Sequence, residues 1–272
     1  MENIINNNTI ATKTKNKKKF KIKLIEIISY GILLAVLVFL AIGLYKGISS
    51  MAVLTKYTSY FVTGVKFTLG LSFISVVIGT FIGAGIAFAK MSNNLPAKIL
   101  ATGYVEIIRG TPLITQLFIV FFGSAMLFNT KALGLSISTM AFISGVVAVS
   151  LNSAGYVAEV IRSGIQSVDK GQMEAGRSLG MSKKMTMQEI IIPQATKNIL
   201  PALANEFITV IKETSIVSVI GVTDIMYNVN IVRGTSFRSI EPLFMAAILY
   251  FVLTFTLSKL VNKLEGKLKE SD

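Results

Sequence analysis

The chain contains no cysteine and no histidine among its 272 residues. Thiol chemistry, disulfides, zinc centres and imidazole acid–base catalysis are therefore excluded, and with no thiol present the redox compartment is not readable from it. Charge is scarce too: only 15% of residues are charged while 52% are hydrophobic, a balance that a water-soluble domain of this length would not tolerate. No G-x-x-x-x-G-K-[ST] phosphate loop occurs, so any ATP-driven work must be done by a partner. No nucleophile–base pair or metal-ligand cluster stands out, which argues against an enzyme and leaves the metal set empty.

What is present is a series of apolar runs separated by basic residues. The formal net charge is +13, but the Lys and Arg side chains punctuate the apolar runs. They read as topology signals and not as a nucleic-acid-binding face. Residues 1–23 form an Asn- and Lys-rich tail that is expected to be disordered and cytoplasmic. The run 24–45 is long enough to span, since about 20 residues cross a hydrocarbon core. A basic tail before an apolar core also describes a signal peptide, but no small-x-small cleavage site follows, and an uncleaved helix is the reading we adopt.

The second span, 59–88, carries Gly79 and Gly83, a small-xxx-small pair that permits close helix approach. SNNLP at 92–96 breaks that helix. Residues 99–128 do not form one simple span. Gly110-Thr111-Pro112 interrupts them, with Thr111 expected as N-cap and Pro112 at the first helical position. The reading is an interfacial helix followed by a membrane helix over 113–128, with Glu106 and Arg109, three apart, as a local ion pair. The fourth span, 139–161, buries Asn152, either as helix–helix glue or as pathway lining.

Between the fourth and fifth spans lies a polar insert, 162–193, on which the rest of the chain is organised. Residues 173–179 predict a short helix, ended by Gly180 in a left-handed conformation. Ser182 predicts the cap of a second short helix, which Pro193 is expected to terminate. The fifth span, 198–222, has the densest polar stripe. Asn205, Thr209 and Lys212 share one face, with Ser215 continuing it, and Glu206 and Glu213 lie on the neighbouring face. Ionisable residues within a span are functional candidates, and a Lys–Glu pair holding helices in register is the structural alternative. An outer loop, 223–241, leads to the last span, which Glu241-Pro242 opens and which runs to 260, and a tail follows at 265–272.

Basic residues orient this series. Seven lie in the first tail, three between spans two and three, six around the insert and four at the end, twenty of 27, against six on the other side and Lys212 within a span. The bias predicts six spans with both termini and the insert in the cytoplasm of a multi-pass cell-membrane protein. The fold class expected is all-α and polytopic.

EAGRSLG at 174–180, nine residues, then IIIP at 190–193 closely resembles the coupling-loop signature of ABC importer permeases, Glu-Ala-Ala, three residues, Gly, nine residues, Ile-x-Leu-Pro. Gly176 stands for the second Ala and Ile192 for the Leu; Gly176 is expected to loosen the loop helix by up to about 1 kcal/mol. GVKFTLGLSF at 64–73, YVEIIRGTPLITQLF at 104–118, SLNSAGYVAEVIRSGIQSVDKGQMEAG at 150–176 and LPALANEFITVIKETSIVSVIGVTDI at 200–225 look like the polar amino-acid branch of that family, the permeases of histidine, glutamine, arginine and cystine importers. The resemblance implies a type I importer whose five core spans fall within 59–264. The helix 24–45 is then extra, and the coupling helix lies between core helices three and four.

The resemblance further implies two permease subunits, the second being a copy or a paralogue, two cytoplasmic ATPases that carry the ATP, and an extracytoplasmic solute-binding protein. No cofactor is expected on this chain. Glu174, Ala175, Gly176, Gly180, Ile190 and Pro193 are the expected coupling residues. Gln116, Asn152, Asn205, Thr209, Lys212 and Glu213 are the candidate pathway residues. Two alternatives remain at this stage: a permease of the same machine for methionine or a phosphonate, and an ATP-independent secondary transporter using Lys212 and Glu213, against which the absence of visible inverted repeats counts.

Overall fold

The computed structural model describes residues 28–35, 37–38, 42–43, 45, 51–127 and 134–269. The chain divides into two units, Met1–Lys56 and Tyr57–Asp272. In the first, residues 28–35 are helical; most of the expected span 24–45, and the whole tail 1–23, lie outside the described residues. The rest concerns the second unit and the helix that leads into it.

Every regular element among the described residues is helical. Helix α1 (Met51–Met91) has non-helical backbone at Tyr57 and runs on without a break through the expected second span. Helices α2 (Leu95–Gly110) and α3 (Leu113–Leu127) meet at a bend of 108°, at the Gly110-Thr111-Pro112 interruption. Helix α4 (Ile137–Gln166) starts on Ser136, whose side chain accepts from the Thr139 N–H. The insert forms α5 (Lys170–Ser178) and α6 (Lys183–Thr186). A π-turn (Met187–Ile191) joins α6 to α7 (Ile192–Glu213), and a 3₁₀ segment (Thr214–Ile220) prolongs α7. The expected outer loop 223–241 is largely a helix, α8 (Ile225–Ser236), and α9 (Glu241–Lys269) completes the chain.

Three of the described helices are long and apolar enough to cross a membrane, and the two bent pairs bring the number to five. This matches the five core spans.

Helix α4 is the pillar. Small residues dominate its buried surface, among them Gly145, Ala148, Ser150, Ser153, Ala154, Gly155 and Ala158, and small side chains let backbones approach where lipid supplies no hydrophobic drive. Helix α1 uses the same device from its side: a Cβ at Gly79 would lie 3.0 Å from Ser153 Cβ, and one at Gly83 only 2.8 Å from Val157 Cβ. The small-xxx-small pair therefore packs on α4.

Two apolar clusters result. One joins Leu71, Leu117, Val149, Val210 and Val217. The other joins Ala87, Val105, Val157, Ile161, Ile191 and Ala195, at the end that carries the insert. Between them α4 presents the buried polar residues Ser150, Asn152 and Ser153.

Candidate functional site: the coupling insert and the polar face of α7

The insert is built by local rules. Asp169 caps α5, its carboxylate accepting from the Gly171 N–H at 2.7 Å, a cap that sequence reasoning missed although Asp is among the favoured capping residues. At the other end the Met181 N–H donates to the Gly176 carbonyl and the Gly180 N–H to the Arg177 carbonyl, both at 3.1 Å. This is a Schellman termination, and Gly180 takes the φ of +85° that it requires. Ser182 then caps α6 as expected, accepting from Met185 N–H at 3.1 Å.

The second expectation fails in part. Pro193 does not terminate a helix but sits in the first turn of α7, so α6, the π-turn and α7 form one continuous rod. A proline inside a helix lacks a donor and crowds the carbonyl four residues back. The wider turn just ahead of it, with the Ile192 N–H bonding to Met187 O, accommodates the ring without ending the helix.

The six residues expected to couple divide into two groups. Glu174, Ala175, Gly180 and Pro193 are exposed on the outer surface of the insert, whereas Gly176 is buried and Ile190 packs on the inner cluster. Gly176 is buried for a specific reason: a Cβ there would stand 2.5 Å from Thr186 Cγ2, so the absent methyl is what lets α5 lie against α6. The loosening expected from Gly176 is thus offset by packing. Met173, Met187 and Ile190 tie the insert to Ile161 and Ile165 at the end of α4 and to Ala195 on α7. Leu179 is 81% exposed beside Glu174 and Ala175. Its position four residues after Ala175, on one helix face, is the signal that could have identified it. An open cavity of about 480 Å³ lies behind, walled by Ile165, Val168, Met173, Met187 and Ile191.

At the α2–α3 corner the chain spends its polar groups on itself. The Gln116 amide donates to Ile108 O at 2.8 Å and lies within reach of Thr111 Oγ1 (2.9 Å) and O (3.2 Å), while its own carbonyl accepts from Asn152 Nδ2 at 3.0 Å. Helix ends leave carbonyls without partners, and Gln116 supplies the donor that a bent chain lacks. Thr111 does not cap α3 as expected; its hydroxyl donates back to Ile107 O at 2.8 Å. Nor do Glu106 and Arg109 form an ion pair among the described residues: the Arg109 guanidinium lies over the Tyr156 ring, 5.4 Å from its centroid. The ion pairs at this end are Lys90 to Glu159, at 3.1 Å, and Arg162 to Glu159.

On α7, Asn205 and Lys212 are exposed and Thr209 and Ser215 half-buried, so the polar face is open in the single chain. The Thr209 hydroxyl bonds back to Asn205 O at 3.2 Å. Lys212 makes no ion pair among the described residues. It lines a cavity of about 430 Å³ with Ser215, Met226, Leu243 and Tyr250. Glu213 is half-buried next to it, and Glu206, about two turns before Glu213, accepts from Ser153 Oγ at 3.5 Å. Lys212, Glu206 and Glu213 thus lie on adjoining faces of one helix, and Gln116 joins Asn152 on α4, next to the Ser153 that reaches Glu206.

Sequence reasoning also missed Asp224. Its carboxylate is buried, accepts from the Tyr227 N–H at 2.8 Å to cap α8, and lies 3.4 Å from the Tyr250 hydroxyl of α9. The adjacent Ile225 N–H donates to Thr68 of α1.

Comparison with known proteins adds to this geometry. The family described as binding-protein-dependent transport system inner membrane component matches residues 75–270. An arginine transport system permease protein of Bacillus subtilis (strain 168) is 40% identical over 213 residues, 78% of this chain and 94% of that protein. A putative glutamine transport system permease protein of Rickettsia bellii is 40% identical over 209 residues, 77% of this chain and 93% of its own length. Among solved structures, an amino acid ABC transporter crystallised with histidines is 48% identical, with a TM-score of 0.72 covering 79% of this chain and 96% of that one. The methionine transporter MetNI, at 17% identity and a TM-score of 0.60 over 78% of this chain and 97% of that one, shares the fold.

Proposed function

Because the chain belongs to the family of binding-protein-dependent transport system inner membrane components, we propose that it is the membrane-spanning subunit of an ATP-driven importer of polar amino acids, coupled through the 162–193 insert to a separate ATPase. The names of the relatives at 40% identity, arginine and glutamine permeases, support a polar amino acid over methionine or a phosphonate. Membership of this family also argues against a self-contained secondary transporter. Partners of this kind of permease are an ATPase and a solute-binding protein; a second permease copy or paralogue completes the assembly. Both termini and the insert face the cytoplasm in this reading, in keeping with the basic-residue bias.

The observation that carries it is the insert's construction. Glu174, Ala175 and Leu179 are presented outward on a helix capped at both ends, and that helix is fastened by apolar contacts to α4 and α7. Closure of the ATPase pair presses on α5, and because α5 cannot slide independently, the push moves α4 and α7 as levers. Helix α7 carries the polar face, so the same motion opens or closes the route past Asn205, Thr209 and Lys212. An amino acid there carries an ammonium and a carboxylate that lose hydration. Lys212 offers the carboxylate a counter-charge and Glu206 or Glu213 does the same for the ammonium. Gln116 and Asn152 have their amides committed to the corner and brace the pillar behind this route.

Glu174→Lys tests the coupling in reconstituted transporter. We expect normal membrane insertion and assembly with loss of the ATP hydrolysis that the loaded binding protein stimulates. Unchanged stimulation would refute the docking role of α5.

A further inference from the structure

Helix α9 is the barest long span: 11% of its apolar window is buried within the chain, against 39% for α1 and 61% for α4. One stripe of it has internal order. Phe251 and Phe255 are exposed and stacked, with ring centroids 5.5 Å apart and planes 25° apart. Four residues on, Lys259 places its ammonium 5.3 Å from the Phe255 ring centroid, and Lys263 follows after four more. Residues four apart share a helix face, so the stripe runs aromatic, aromatic, cation, cation. Neither lysine makes an ion pair among the described residues, and both are exposed.

We propose that this stripe is a binding site for an anionic phospholipid, its acyl chain laid along Phe251 and Phe255 and its phosphate held by Lys259 and Lys263. The dimensions fit. From Phe251 to Lys263 the helix rises about 18 Å, close to one leaflet of a hydrocarbon core about 30 Å thick, so the rings meet the tail and the ammonium groups reach the headgroup level. Stacking on Phe255 restrains Lys259, which otherwise loses side-chain freedom on binding.

A second copy of the chain is the less suitable occupant, because a two-fold contact through this stripe would bring the same lysines toward each other. The site belongs to the inner leaflet only on the reading above that this end of α9 is cytoplasmic, where anionic lipid attracts basic segments.

Native mass spectrometry of the delipidated, assembled transporter tests the site, with phosphatidylglycerol and phosphatidylcholine of equal chain length added in turn. We expect preferential retention of phosphatidylglycerol, reduced roughly ten-fold or more by Lys259→Gln with Lys263→Gln, reduced less by Phe255→Ala, and unchanged by Lys184→Gln on the insert. Equal retention of the two lipids by the wild type, or full retention by the double Gln variant, would overturn the proposal. So would efficient disulfide cross-linking between copies carrying Phe255→Cys, which would mean that a permease covers the stripe. Retention in detergent does not depend on orientation; labelling of Lys267→Cys from the outer side of intact cells would refute the inner-leaflet placement and leave the lipid site standing.

Discussion

At the scale of single residues, Gly176 shows how a position that looks like a weakness can be a fitted part. Replacing it with Ala improves helix propensity by up to about 1 kcal/mol, but the added Cβ meets Thr186 Cγ2 at 2.5 Å. Thr186 is fully buried and its hydroxyl donates to Ser182 O at 3.0 Å, so the methyl cannot swing away. Overpacking of that kind costs about 1–3 kcal/mol, which exceeds the propensity gain. We expect Gly176→Ala to lower the melting temperature of the purified transporter and to expose the insert to protease. Thr186→Ser in the same chain removes the offending methyl and should restore most of the loss. A single Gly176→Ala variant as stable as the wild type would show that α5 has room to shift.

At the scale of elements, the α2–α3 corner is held by one amide chain running from Asn152 through Gln116 to the carbonyls of Ile108 and Thr111. Gln116→Leu leaves the half-buried Ile108 carbonyl without a donor and the buried Asn152 amide without an acceptor, and Asn152→Leu leaves the Gln116 carbonyl without a donor; a polar group orphaned away from water costs about 1–3 kcal/mol. Both single variants should therefore melt earlier. The double variant should lose less than the two losses added together, since one link is counted twice, by a coupling of about 0.5–3 kcal/mol. Strict additivity in thermal melts would mean that the two side chains act independently.

At the scale of the whole molecule, the family to which the chain belongs works with an ATPase and a solute-binding protein. The polar face of α7 and the outward side of α5 are both uncovered in the single chain; the route we propose lies along the first and the ATPase docking we propose on the second. Lys212→Met separates two meanings of a lysine within a span. If Lys212 lines the route, the variant assembles with its partners and binds and hydrolyses ATP, yet amino-acid uptake into proteoliposomes falls sharply. If Lys212 instead holds helices together, the variant yields less assembled complex, and what survives transports normally. Among the described residues Lys212 makes no ion pair, which favours the first outcome.

Much of this protein is determined by sequence alone, where the relevant physics is local or acts against lipid. Apolar length defines the spans, Gly110-Thr111-Pro112 the corner, Ser182 a cap and Gly180 a left-handed stop, because each depends on a few consecutive residues. The polar composition of residues 162–193 marks the insert between two apolar spans for the same reason. Only the tertiary structure decided what depends on distant neighbours. Gly176 is required by Thr186, Pro193 is absorbed by a π-turn inside a packed rod, Arg109 prefers the ring of Tyr156 to Glu106, and the Gln116 amide links the corner to Asn152. Asp224 had no visible importance until α9 brought Tyr250 to its carboxylate and α1 brought Thr68 to the adjacent Ile225 N–H. In each case the deciding term is a contact or an unpaired polar group supplied by another helix, and such partners are chosen by packing in three dimensions.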